Sequence, residues 1–235
     1  MLNGPQLSVA TYNIHRCVGR DGRFDPARIV HVLREIDCDI VGLQEVESRF
    51  SGALHAHQSE FLTAATGMHC VTGPTISGSD SHYGNMLLSR WIPKAVRRID
   101  LSYSGDPEPR GALDVDLDVD GARLRFLVTH LGLSAREREW QIQRLVGNLP
   151  DSSADAVVLL GDLNEWWPCA PAFHRLRRYF DTQHARRTFP AGWPALALDQ
   201  IWLRRARAIE EVRAHRSALS RVASDHLPLV AGIRL

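Results

Sequence analysis

Apolar residues in this chain come in short runs whose spacing changes along its length. Leu7 to Asn13 reads as a strand. Asp25 and Pro26 then supply an N-cap and first-turn pair, and Ile29, Val30, Leu33 and Ile36 follow at helical spacing. Ile40 to Glu45 returns as a buried strand, and a series of strands is expected at Gly84 to Ser89, Ala95 to Leu101, Arg110 to Val119 and Leu124 to His130. Within Arg110 to Val119, Leu113, Val115, Leu117 and Val119 alternate with Asp114, Asp116, Asp118 and Asp120, which predicts one buried face and one facing water. Ser134 with Glu137 three residues on forms a capping box, and Trp140, Ile142, Leu145 and Val146 give its helix an apolar side. Ala156 to Leu160 is a continuous apolar strand, Pro171 to Phe180 a helix, and Leu198 to Leu203 and Leu227 to Leu235 are late strands. Mixed strands with few helices imply a two-layered sheet core covered by helices, not an alternating parallel barrel.

No repeat or low-complexity linker divides the 235 residues, so one domain over 1–235 is expected. At 44% hydrophobic and 23% charged the composition is globular, and the 28 basic and 27 acidic side chains leave a formal charge of +1. That excludes a disordered chain and disfavours one held to nucleic acid by bulk charge. The balance conceals two opposite halves: residues 1 to 120 carry net −5 and residues 121 to 235 net +6. All the basic residues but Lys94 are arginine, whose planar fork suits phosphate wherever it lines a site. Cys17, Cys38, Cys70 and Cys169 are too widely spaced for a zinc or redox motif, and free thiols are expected. With neither a leader-like start nor a long apolar run, the expectation is a cytoplasmic protein with no membrane span and no obligate protein partner.

Polar residues interrupt the apolar strands at their ends. Asn13 ends the first strand, Glu45 the second and His130 a later one. Asp162 and Asn164 follow another, Asp199 opens a fifth, and Asp225 and His226 precede the last. A sheet sandwich brings such ends onto one rim, where loops carry function. Carboxylate and amide oxygens without a cysteine pair favour Mg2+ or Mn2+ over zinc, with Glu45 the best direct ligand and Asn13 an amide oxygen or an orienter of metal-bound water. His130 and His226 can donate to phosphate oxygens, Asp199 or Asp225 can hold the tautomer of His226, and Asp162 is free to accept a proton from water. Together these parts describe metal-assisted phosphoester hydrolysis.

The strings TYNIH at 11–15, LQE at 43–45, GNMLLSR at 84–90, THLG at 129–132, GDLN at 161–164, LDQIWL at 198–203 and SDHLP at 224–228 resemble the ordered motifs of the endonuclease/exonuclease/phosphatase superfamily. The resemblance covers almost the whole chain. It implies an α+β (α/β) fold like that of deoxyribonuclease I, a four-layer α-β-β-α sandwich of two mixed sheets with the site on one rim. Matched motif by motif, it implies Glu45 as principal metal ligand, with Asn13 beside it and Asp225 near the metal. Asp162 would align and deprotonate the attacking water, Asn164 would hold that water or a phosphate oxygen, and His130 would grip the scissile phosphate. His226, buttressed by Asp199, would stabilise the in-line transition state, with His226 the alternative base. Arg110, in PRGAL, resembles a phosphate-contacting arginine of some members.

One position departs from the pattern. Repair nucleases of the superfamily often carry an acid two residues after the first-strand asparagine, and here that residue is His15. The expected function is therefore a divalent-metal-dependent phosphodiesterase or phosphatase, with a DNA or RNA nuclease and a phospholipid or glycosylphosphatidylinositol-related phosphodiesterase as alternatives. Outside enzymes, the alternative is an inactive module that binds a phosphorylated ligand or a partner. Trp166 and Trp193, in aromatic stretches flanking the motifs, are candidate walls for a base, a nucleoside or a lipid headgroup region. The substrate classes this leaves are nucleic acid, nucleotide, lipid headgroup and small phosphodiester.

Overall fold

The computed structural model describes residues 6–49, 57–77, 81–104, 108–149, 154–206 and 208–234. Twelve strands form two six-stranded sheets among these residues. The first contains β1 (Gln6–Asn13), β2 (Ile40–Arg49), β3 (His69–Ser77), β4 (Ser81–Ser89), β11 (Ala208–Ala214) and β12 (Leu229–Arg234), in the order β11-β12-β1-β2-β4-β3. The second contains β5 (Pro93–Asp100), β6 (Gly111–Val119), β7 (Ala122–His130), β8 (Ala156–Asp162), β9 (Thr182–Ala185) and β10 (Asp199–Arg204), in the order β5-β6-β7-β8-β10-β9. Each sheet is mixed, with one parallel pair at its centre: β1 beside β2, and β7 beside β8.

Apolar burial explains the layering. Between the sheets, Val9, Ile40 and Leu87 of the first pack with Val115, Val128, Leu160 and Ile201 of the second. The sheets approach closely at Gly42, where a Cβ would stand 3.0 Å from that of Leu160. Outside the first sheet, α1 (Pro26–Ile36) and α2 (Gln58–Thr66) cover Tyr12, Leu43 and Met86. Outside the second, α3 (Ala135–Gly147) and α4 (Pro171–Tyr179) bury Ile142, Leu145, Phe173 and Leu176 against Leu127, Leu159 and Trp202. The expected helix starts are present: Asp25 accepts from the amide of Arg28, and Ser134 accepts from that of Glu137. The four-layer α-β-β-α architecture follows.

Two expectations need correction. The acidic face of β6 does not simply meet water, because Asp114 is buried. Its carboxylate takes Arg97 at 2.8 Å and buried Arg125 at 3.0 Å, and both arginines also reach Asp116. Desolvation is offset there by two charged partners. Replacing Asp114 with Asn leaves Arg125 with Asp116 as its anionic partner, and chemical denaturation should report a loss of about 1–3 kcal/mol. Unanticipated strands form the second correction. β3, β9 and β11 are all sheet edges, where Gly73 and Pro74 in β3 and Glu210, Glu211 and Arg213 in β11 break the apolar run.

Candidate active site

Strand register assembles the polar ends. In the second sheet His130 pairs with Asp162, and Asp162 pairs with Asp199, so three adjacent strands present three functional side chains in a row. In the first sheet Asn13 ends β1 beside Gln44, and the segment before β12 carries Asp225 and His226. Glu45 reaches the rim through a break in its strand. The β2–β4 register shifts between Leu43 and Val46, and Glu45 adopts a left-handed φ of 58°. Such a bulge re-aims a side chain at a local conformational cost of order 1–3 kcal/mol. Asn164, with φ 50°, makes the same kind of turn after β8.

Asp162 is the meeting point of the two sheets. Its Oδ2 accepts from the amide of Asn13 at 3.0 Å and lies 3.5 Å from Nε2 of His226 and 3.6 Å from Nε2 of His130. Its Oδ1 accepts from the backbone N–H of Asn164 at 3.0 Å. The other hydrogen of the Asn13 amide nitrogen goes to Oε1 of half-buried Glu45, also at 3.0 Å, while the Asn13 oxygen accepts the N–H of His15. Asn13 therefore holds Glu45 and Asp162 in fixed relation. His15, which replaces the expected acid, directs its ring to the carbonyl of Val18 and stands 3.9 Å from Asp225.

His226 and Asp199 form a buried pair. Nδ1 of His226 lies 2.8 Å from Oδ2 of Asp199, which also accepts from the hydroxyl of Thr188. Phe189 lies against the ring at 4.8 Å between centroids, and Ser224 ties the His226 amide to the carbonyl of Asn13. Burial alone disfavours the imidazolium, but Asp199 and Asp162 outweigh it and push the His226 pKa up to about 10. Burial likewise disfavours ionised Asp162, yet His226, His130 and the donors from Asn13 and Asn164 hold its pKa below the ordinary carboxylate value. The site thus carries an imidazolium beside a carboxylate at neutral pH. A proton held more tightly by folded than unfolded chain stabilises the fold fully below about pH 6.5, and that contribution is lost as pH rises towards 10. The denaturation midpoint should accordingly fall more steeply over that range in the wild type than in His226→Gln.

His130 is different. Burial lowers its pKa, and the Asp162 charge does not recover it against nearby Arg110. A guanidinium only donates, so the 3.2 Å contact with Arg110 calls for an acceptor at Nδ1, while Nε2 lies 3.6 Å from Asp162. The Asn164 amide lies 3.0 Å from the same Nε2 and donates to the carbonyl of Leu131. Arg110 is itself buried and gripped through both terminal nitrogens by Glu108 at 2.9 and 3.1 Å. With Glu45 and Tyr83, Arg110 and His130 line a narrow cleft. A larger cavity of about 570 Å3, between α2 and the β3–β4 edge, shares Tyr83, Gly84 and Asn85 with it.

Trp166 and Trp193 sit on the loops that leave β8 and enter β10, with indoles mostly in solvent. Between them and the core, Glu165 is buried and fixed by Arg138 at 2.7 Å and by the amide of Trp167. Thr188 and Phe189, in the aromatic stretch before Asp199, and Ser224, in SDHLP, join the site, and Glu108 is a component that the sequence did not single out. The only signal for Glu108 was its adjacency to PRGAL. The sequence also carries a histidine pair, His55 and His57, and an arginine-rich segment, Arg204, Arg205 and Arg207, of which His55 and Arg207 lie outside the described residues.

Asp162, Asp199 and His226 bring ligand-type atoms within 4.8 Å of one another, but they are a poor cation site. Asp199 Oδ2 is saturated by His226 and Thr188, and a cation there would face the imidazolium. The half-buried carboxylate of Glu45, steadied by an amide and open to the cleft, offers the hard oxygen that Mg2+ or Mn2+ prefers.

Residues 10–226 match the model of the Endonuclease/Exonuclease/phosphatase family. The chain is 31% identical to the uncharacterized protein YbhP of Escherichia coli K12, covering 97% of this chain and 96% of the relative. Among solved structures it is similar to an endonuclease/exonuclease/phosphatase from Beutenbergia cavernae, with 26% identity, a TM-score of 0.77, and coverage of 98% of this chain and 72% of that one. A Bacteroides vulgatus structure of the same description superposes with a TM-score of 0.79 at 15% identity, covering 98% of this chain and 99% of the other. By sequence and by fold, the chain belongs to the endonuclease/exonuclease/phosphatase family, whose members are hydrolases acting on phosphoester bonds.

Proposed function

We propose that the chain is a divalent-metal-dependent phosphoester hydrolase, a phosphodiesterase or phosphatase in which water attacks phosphorus directly. The observation that carries this reading is the position of Asp162, an ionised carboxylate between a charged His226 and the Asn13–Glu45 pair. Glu45 is the principal ligand for Mg2+ or Mn2+, with Asn13 and Asp225 on its flank. When bound, the ion supplies Lewis-acid polarisation and charge neutralisation at the phosphoryl group.

The chain's own groups divide the remaining work. A histidine already protonated cannot take a proton from water, so the raised pKa of His226 favours Asp162 as acceptor. His226 presents its Nε2 proton to the charge that develops on phosphorus, and Asp199 keeps Nδ1 protonated and the ring oriented. Asn164 positions the nucleophile or a phosphate oxygen. His130 turns Nε2 towards Asp162 while Arg110 occupies its Nδ1, so Arg110 acts through His130 and only secondarily as a phosphate contact. Trp166 and Trp193 border the approach to the site. Intact contacts throughout this set support an enzyme over a retired ligand-binding module.

The test is turnover of an aryl phosphodiester and an aryl phosphomonoester by chelator-treated protein, before and after addition of Mg2+ or Mn2+. Metal-restored cleavage of either supports the reading, and the preferred ester separates phosphodiesterase from phosphatase. Equal turnover in chelator overturns it.

A further inference from the structure

Six of the nine large hydrophobic side chains exposed on the described surface stand at one end of the sandwich: Phe24, Leu133, Trp166, Trp167, Trp193 and Val222. That end carries the catalytic rim. β1, β7 and β8 finish there and β10 and β12 begin there, so the five loops bearing these side chains all flank Asn13, His130, Asp162, Asp199 and His226. Only Ile92 marks the opposite end, in the β4–β5 connection, and Ile76 and Val96 lie on edge strands. Scattered exposed apolar groups need no explanation, but a ring of them around a site does.

Charge follows the same geography. Among the described residues, these five loops and the first turn of α3 carry eight exposed arginines, including Arg20, Arg136, Arg187 and Arg221, against one exposed acid, Asp21, with Glu139 exposed one residue past that turn. Asp21 is already taken by Arg28 at 2.8 Å. Arg20 and Arg186 direct hydrogen bonds to backbone carbonyls, which leaves their charge unneutralised. The net +1 of the chain therefore conceals a cationic, apolar-tipped face.

We propose that this face docks the active site onto the surface of an anionic phospholipid bilayer. Tryptophan, phenylalanine and leucine at loop tips enter the headgroup region, arginine meets lipid phosphate, and the phosphoester site is held at the interface. No described helix is long and apolar enough to cross a membrane, so the association is peripheral. A single-stranded nucleic acid would also welcome arginine and tryptophan, but stacking needs free aromatic faces. Here Leu133 and Val222 are aliphatic, and Trp166 and Trp167 pack edge to face at 5.8 Å. The inference concerns docking alone and stands whether or not the proposed hydrolysis is found.

Co-sedimentation with vesicles of phosphatidylcholine, with and without phosphatidylglycerol, tests it. The chain should bind the phosphatidylglycerol vesicles, with tryptophan fluorescence quenched by brominated lipid. The variant Phe24→Ser/Leu133→Ser should bind at least about tenfold more weakly while keeping its fold by circular dichroism. Ile92→Ser, at the far end, should bind as the wild type does. Failure of the wild type to sediment overturns the proposal, as does equal loss in Ile92→Ser. Tighter binding to an oligothymidylate than to the vesicles, abolished by Phe24→Ser/Leu133→Ser, would reassign the face to nucleic acid and overturn it as well.

Discussion

Asp162→Asn should lower kcat by about a thousandfold or more while leaving the fold intact. The substitution keeps the shape of the side chain and one of its two acceptor oxygens, so either the contact from Asn13 or that from the Asn164 N–H can persist, but it removes the buried carboxylate positioned to take a proton. General-base loss alone accounts for about a hundred- to ten-thousandfold. The same change removes one of the anions that keep His226 charged, so the losses compound and should not be summed as independent. Steady-state kinetics on a turned-over ester, beside a thermal melt, checks this. Wild-type kcat in Asp162→Asn would remove Asp162 from the chemistry.

Asp199→Asn should have the next largest effect, about a hundred- to thousandfold in kcat with little change in KM. Asp199 never needs to touch the substrate. It holds His226 through Nδ1 at 2.8 Å, and an amide at that position can turn a donor towards the ring and favour the wrong tautomer. The readout that distinguishes positioning from mere packing is the pH profile. With its principal anionic partner gone, His226 loses its proton at lower pH, so the alkaline fall in activity should move down from the wild-type position. Thr188→Val, which removes the second donor to the same oxygen, should leave that alkaline limb nearly in place. An unchanged profile in Asp199→Asn would reduce the residue to a structural role.

Much of this arrangement was legible in the sequence, and for a physical reason. Central strands are buried on both faces, so a polar residue at the end of such a run stands out, and Asn13, His130, Asp162, Asp199 and His226 were visible that way. Their convergence depends on register, which sets His130, Asp162 and Asp199 side by side on adjacent strands. Edge strands were harder to read, because β3 and β11 bury less and carry breakers or charges. Asp114 showed the limit of alternation, since a period of two assigns a face but cannot say that Arg97 and Arg125 will cover it. The turn at Glu45 was equally invisible: LQE reads as three strand residues, yet a left-handed φ swings the carboxylate to the rim. Nor could the sequence reveal that Asn13 uses its nitrogen, not its oxygen, on both carboxylates.

Calorimetric titration of Mn2+ into the wild type, Asp162→Asn and Glu45→Gln separates metal binding from proton transfer, because it reads the ion without relying on a substrate. The wild type should show a site, Asp162→Asn should retain it although turnover is lost, and Glu45→Gln should lose at least about tenfold in affinity. Wild-type affinity in Glu45→Gln, or loss confined to Asp162→Asn, would contradict Glu45 as the principal ligand and move the metal to the Asp162, Asp199 and His226 cluster.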